Sequence, residues 1–146
     1  MTAPRAAAPI QPTLADVPFK PLRRVVDVSG DGPNNAGEAV EKARDAVLGD
    51  GIVINGLPIL LPRSSGGWGA IDHLDAYYRD CVIGGPGSFM IPITEMSQFL
   101  SATKQKIIRE VAELTQSDVQ YVQNRTRKSD CMIGERMMRE RDRWGN

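Results

Sequence analysis

A mostly parallel α/β fold is predicted by three observations. Short β-branched runs alternate with helix-patterned segments along the chain. The runs are apolar on both faces, as strands inside a parallel sheet are. Turn-forming residues stand where each run ends. The chain has 146 residues, 41% hydrophobic and 25% charged, which suits one ordinary domain and excludes wholesale disorder and fibrous repeats. Its 18 basic and 18 acidic side chains cancel, so it lacks the charge footprint of a nucleic-acid binder. No apolar run approaches the roughly 18 residues of a membrane span. The opening MTAPRAAAPIQP shows no apolar stretch of the secretory-signal kind.

Residues 1–21 hold five of the ten prolines, each fixing φ and removing a donor, so an extended or disordered lead is expected. Val25, Val26 and Val28 then mark a strand that runs into a loop over residues 29–37. From Glu38 the spacing is helical, with Ala39, Val40, Ala43, Ala46 and Val47 on one face and Gly49 or Gly51 to end it. A second strand is expected from 52 to about 57. After the Gly/Ser/Pro loop LPRSSGGWGA, Ile71, Leu74, Tyr78 and Cys81 recur at helical spacing until GGPG breaks the pattern. SFMIPI reads as a third strand, with Phe89, Met90 and Ile91 in the core. Thr94 or Ser97 is expected to cap an amphipathic helix carrying Phe99, Leu100, Ile107, Ile108 and Val111. The domain is placed at 22–114. A polar charged tail follows over 115–146, where RMMRERDRW suggests a short helix with Met137, Met138 and Trp144 as docking groups.

The chemically informative segment is DVSGDGPNNAGE. In a parallel sheet, ligands gather beyond the carboxyl ends of the strands. That position carries Asp27, Ser29, Asp31, Asn34 and Asn35, hard oxygen donors of the kind Mg²⁺ or Ca²⁺ takes. Asp31, in the loop, is better placed than Asp27, which is still inside the strand. The same residue types also make tight turns, and GDGPNNAGE leading into a helix is compatible with a phosphate cradle. No catalytic set is visible: His73 is the only histidine, and Ser64 and Ser65 lack a nucleophile-elbow context. Tyr77 and Tyr78 read as helix packing and rim rather than a ligand platform. Two cysteines without CxxC and a single histidine argue against a zinc site, and Cys81 and Cys131 read equally well as buried thiols or as one bridge.

RRVVDVSGDGPNN, ARDAVLGDGIVINGLPIL and LDAYYRDCVIGGPGSFMIP together resemble a bacterial family of von Willebrand factor A-like proteins of unknown function, over about residues 14–111. The resemblance implies a three-layer, Rossmann-like fold, a mostly parallel sheet with helices on both faces. It also implies a metal-ion-dependent adhesion site for Mg or Mn. Such a site uses a DxSxS loop, a threonine and an aspartate in a third loop. VSGDG matches the third loop, making Asp31 the metal ligand and Ser29 a water-mediated contact, with Gly30, Gly32, Asn34 and Asn35 shaping the loop. The DxSxS loop has no counterpart here, and Thr13 lies in a proline-rich stretch.

About three strands are expected where such sheets usually have about five or six. The chain is therefore expected to be the carboxyl-terminal half of the domain, truncated on its amino-terminal side, with a sheet edge open to self-association. Family members resemble exported proteins, which implies a periplasmic or secreted location and a Cys81–Cys131 disulfide. The function expected is a non-enzymatic protein-interaction module whose metal accepts an acidic side chain from a protein partner. The alternatives are a truncated remnant without independent activity and a small nucleotide- or phosphate-binding protein.

Overall fold

Strands β1 (Arg24–Gly30) and β2 (Ile52–Pro58) run parallel, with Asp27 beside Asn55 and Val28 beside Gly56. Helix α1 (Val40–Gly49) makes the crossover between them. These elements belong to a computed structural model that describes Pro18 and residues 23–62, 71–112 and 128–144. The expected lead apart from Pro18, with Thr13 in it, the 63–70 loop with Ser64 and Ser65, and the first part of the tail lie outside the described residues. Both strands and the helix fall where the β-branched runs and helical spacing put them. Gly51 turns the chain back into β2 with φ 71°, a conformation that favours glycine.

Every residue of β2 is buried, because it is flanked on both sides. On the side away from β1, residues 89–93 run alongside it. The amide of Gly56 donates to the Phe89 carbonyl at 3.0 Å, that of Ile91 to Gly56 at 3.0 Å and that of Ile93 to Pro58 at 2.9 Å. These make isolated parallel bridges, Gly56 with Met90 and Ile59 with Ile93, so among the described residues the sheet has two strands and the expected third is corrected to a bridged segment. Pro58 of β2 has no amide hydrogen to donate to the Ile91 carbonyl, which interrupts a regular ladder.

Alternation along the strands gives the pair two faces. Val26, Val28, Ile54 and Gly56 look toward α1, toward α2 (Leu74–Tyr77) and toward the π-helical turn Tyr78–Val82 that continues it. Leu74, Tyr77, Tyr78, Cys81, Val82 and Cys131 form one buried cluster there, with Val28, Val40 and Ile133 packed on it. Glycine at position 56 permits this approach: a Cβ would stand 2.8 Å from both Ile83 Cγ2 and Tyr78 Cδ1. The tyrosines are core, 2% and 3% exposed, where the sequence suggested helix packing and rim.

Cys81 and Cys131 are joined by a disulfide across 50 residues, their Cα atoms 5.5 Å apart. Closing a loop of that length stabilises by about 4 kcal/mol in the chain-entropy account. The bond ties α4 (Ile133–Trp144) to the body of the fold. Gly134 of α4 packs so closely on the Asn34 carbonyl that a Cβ would collide with it. The tail helix therefore docks through Cys131, Gly134 and Glu135, whereas Trp144, expected as an anchor, is 82% exposed.

On the other face lies α3 (Phe99–Ala112), entered through a 3₁₀ turn, Met96–Gln98. Its cap is neither Thr94 nor Ser97 but Glu95, in a reciprocal capping box with Gln98. Its orientation also corrects the expectation. Ala102 and Lys106 are the buried residues, while Leu100, Ile107, Ile108 and Val111 point outward. Likewise, Ala43 and Ala46 of α1 are exposed, and only Val40, Val47 and Leu48 are half-buried among its apolar residues.

Candidate functional site

The loop that follows β1 is held at one residue. The Asn34 amide donates to the Tyr77 hydroxyl at 3.0 Å, and its side-chain Nδ2 donates to the Glu38 carbonyl at 3.0 Å and to Glu135 Oε1 at 2.7 Å. Asn34 thus ties the loop to α2, to the start of α1 and to α4. Pro33 beside it is buried. The Gly30 carbonyl accepts from the Ile59 amide at 2.8 Å, which fixes the strand end. Gly30 also leaves room for Tyr78, whose hydroxyl would lie 2.9 Å from a Cβ there.

Beside this loop an apolar cleft of about 310 Å³ opens along β1. Its walls are Val26 and Val28 from the strand and Val40, Ala43 and Val47 from α1, with Tyr78 and Ile54 completing it. It exists because α1 packs mainly on β2, leaving the same face of β1 incompletely covered. Ser29, Gly30, Gly32 and Asn34 contribute to its lining at the strand-end side. Asp31 and Asn35 are exposed and do not line it. The structure therefore brings Ser29, Gly30, Gly32 and Asn34 to one cleft, leaves Asp31 and Asn35 outside it, and turns Asp27 to the opposite face.

Two tyrosines set the electrostatics at this end. Burial pushes the Tyr78 hydroxyl up to about 12, with Tyr77 and Asp31 adding to the shift. Burial raises Tyr77 as well, against the lowering effect of the Asn34 amide. Both are neutral donors or acceptors at ordinary pH. His73 is exposed at the start of α2, in the left-handed region at φ 61°. Asp80 pairs with Arg79 at 2.8 Å and accepts the Ser129 amide at 2.8 Å. Burial pushes its carboxyl up, but those partners outweigh it and hold it below the usual range.

A second constellation, on the opposite face, was not read from the sequence as a unit. Lys106, its side chain only 9% exposed, forms ion pairs with Asp27 and, at 3.0 Å, with Glu110. Asn55 donates to Glu110 at 3.0 Å and accepts the Phe89 amide at 3.1 Å. Burial raises the Asp27 carboxyl above its ordinary value, and the neighbouring Glu110 adds to this. Burial also acts upward on Glu110, but the Lys106 ammonium prevails and its carboxyl lies low. The signals were Asp27 and Asn55 inside otherwise apolar strands, and a Lys–Glu pair one helical turn apart. Nothing in either residue's own neighbourhood links the two elements.

The family described as "Protein of unknown function (DUF1194)" has a profile that matches residues 3–115. No curated protein and no solved structure matches the chain.

Proposed function

We propose that this chain, which belongs to the DUF1194 family of proteins of unknown function, is a non-enzymatic protein-interaction module. Its partner engages the cleft at the strand ends. The observation that carries this reading is the cleft itself, about 310 Å³ with apolar walls and a rim of Ser29, Gly32 and Asn34. It lies where open parallel sheets gather ligands, and an apolar hollow with a polar rim suits the anchoring side chains of a protein partner. The β1–α1–β2 unit, with helix contacts on both faces of the pair, supports a von Willebrand factor A-like, three-layer architecture as its setting. The Cys81–Cys131 disulfide supports an oxidising location, the periplasm or outside the cell.

The adhesion-site metal, Mg or Mn, does not fit the donors present. Asp31 supplies one carboxylate and Ser29 one hydroxyl, and among the described residues no three His, Cys, Asp or Glu side chains converge. A single carboxylate is a poor exchange for the hydration shell of Mg²⁺. The cleft, not an ion, carries the reading.

Selection of phage-displayed random peptides on the full chain tests it. Enriched peptides should bind wild type and the Lys42→Ala variant alike, with and without a chelator. On Ala43→Trp, which fills the cleft, they should bind at least about tenfold more weakly, a loss typical of a blocked anchor pocket. No enrichment, or peptides indifferent to Ala43→Trp, would sink the interaction reading.

A further inference from the structure

We infer that helix α4 is a redox-controlled latch on the strand-end loop, closed while Cys81 and Cys131 are joined and released when they are reduced. For what the latch controls, binding at the cleft, the inference rests on the interaction reading above.

The ties between α4 and the rest of the chain gather at its start. The Ser129 amide donates to Asp80 Oδ2 at 2.8 Å, and Cys131 is bonded to Cys81. Gly134 lies against the Asn34 carbonyl, and Glu135 Oε1 accepts from Asn34 Nδ2 at 2.7 Å. Gly134 is the one buried residue of the helix, and every residue from Arg139 to Trp144 is exposed. An isolated helix of 12 residues is marginal in water, so α4 has little burial and little intrinsic helicity to keep it docked. The disulfide supplies the constraint, holding together two residues 50 apart in the chain. The body relies on it less, because Leu74, Tyr77, Tyr78 and Val82 bury one another and pack on Val28 and Val40. Reduction leaves those contacts in place and removes the tether.

What the latch touches decides what it controls. Asn34 is both the residue that α4 grips and part of the cleft lining, next to Gly32 and Pro33. The Gly134 contact is close enough that helix and loop cannot shift independently. With α4 released, Asn34 keeps only its bonds to the Tyr77 hydroxyl and the Glu38 carbonyl. The loop thus has a held and a loosened arrangement, biased by the disulfide on one side and by the occupant of the cleft on the other.

The reductant is a dithiol. Cys81 is 0% exposed and Cys131 4%, so exchange requires α4 to lift first. A thiolate of the dithiol then attacks the sulfur of Cys131, the less buried of the two, and Cys81 leaves as a thiolate and takes up a proton. The second thiol of the reductant displaces Cys131 in the same way. Two electrons and two protons pass to the cysteine pair, and the dithiol becomes a disulfide. An occupant that needs α4 docked therefore opposes reduction, by the same factor by which the bond favours the occupant.

Hydrogen exchange on the full chain, oxidised and after reduction with dithiothreitol, reads the latch without any partner. Reduction should speed exchange of the Asn34 amide at least about tenfold, while the amides of β2 change by less than about threefold. Gly134→Ala, which pushes α4 off the Asn34 carbonyl with the disulfide intact, should free the loop in the oxidised chain. The Cys81→Ser/Cys131→Ser chain should match reduced wild type and ignore dithiothreitol. The phage-selected peptides should bind the oxidised chain at least about tenfold more tightly than the reduced one. At saturation they should raise, by that same factor, the ratio of reduced to oxidised dithiothreitol needed for half reduction.

Loop exchange indifferent to reduction would overturn the latch and leave the interaction module standing. So would β2 exchanging in step with the loop, which would make the bond a staple of the whole fold. Peptides that bind oxidised and reduced chains alike would overturn control of the cleft. A loop freed by reduction with no peptide enriched would sustain the latch and remove the interaction reading alone.

Discussion

Against Val26, Val28 and Ile54, one side of the β1–β2 pair sets Tyr77, Tyr78 and Val82; against Asp27 and Asn55, the other side sets Lys106 and Glu110. The first face is held by apolar burial and a disulfide. On the second, ion pairs and hydrogen bonds surround Asp27 and Asn55, and Leu57, Ile93 and Ala102 add a small apolar patch. The difference follows from two residues. Once β1 and β2 place a carboxylate and an amide on one face, the covering helix must bring partners for them, because buried polar groups left unpaired are costly. Helix α3 does so by turning its Lys106 and Glu110 inward, which sends Leu100 and Ile107 outward.

The largest test of that contrast is Lys106→Ala. Removing the ammonium leaves Asp27 and Glu110 facing each other without a counter-charge. Breaking a fully buried pair costs about 3–5 kcal/mol. Asp27 is more than a third exposed, so solvent screens part of the repulsion and a loss of about 2–3 kcal/mol is expected in urea denaturation. Adding Asp27→Asn should recover part of it. A loss below about 0.5 kcal/mol, the level of an ordinary surface change, would show that the ion pairs do not hold α3 to the sheet.

The apolar face answers to pH instead. Tyr78, 3% exposed, keeps its proton to about pH 12 in the folded chain, whereas an unfolded tyrosine releases it at 10.0. Between those values the folded state binds more protons than the unfolded one, so stability falls as pH rises through the window. The loss from this group is at most about 3 kcal/mol. Lys106, raised by Asp27 and Glu110 against the downward effect of burial, also loses its stabilising charge above 10.5, so wild type alone would mix the two faces. The difference between wild type and Tyr78→Phe, taken from denaturation curves at pH 9 and above, isolates the tyrosine. Parallel curves for the two proteins would mean that the hydroxyl is not buried as described.

What could be read in advance divides along the same line. The β1–α1–β2 unit was legible because Val25, Val26, Val28 and residues 52–57 combine β-branched chemistry with turn residues at their ends. The strand-end loop was legible as a place, though its chief anchor is Asn34, tied to Tyr77, Glu38 and Glu135 from three separate segments. No spacing rule reports a contact of that kind. The 89–93 segment misled because FMI has strand character while the missing donor, that of Pro58, lies on the facing strand β2. The tail helix was legible by pattern, but its docking was not: a glycine and a cysteine make the closest contacts, while Trp144 stands exposed.

Helix α3 is where the reading was least able to succeed, and its smallest predicted effect is the sharpest check. Leu100, Ile107 and Val111 recur at helical spacing, which shows that the helix has an apolar stripe without saying which way the stripe turns. That direction depends on the residues it meets, and Asp27 and Asn55 lie on other elements. With Ile107 53% exposed and facing away from the sheet, Ile107→Lys removes little buried surface and should change stability by less than about 0.5 kcal/mol. A stripe turned into the core would instead lose a buried side chain and strand a charge there, at a cost of several kcal/mol. The two orientations thus differ severalfold in one denaturation midpoint. A severe loss at Ile107 together with a mild one at Lys106 would reverse the assignment of the helix's faces.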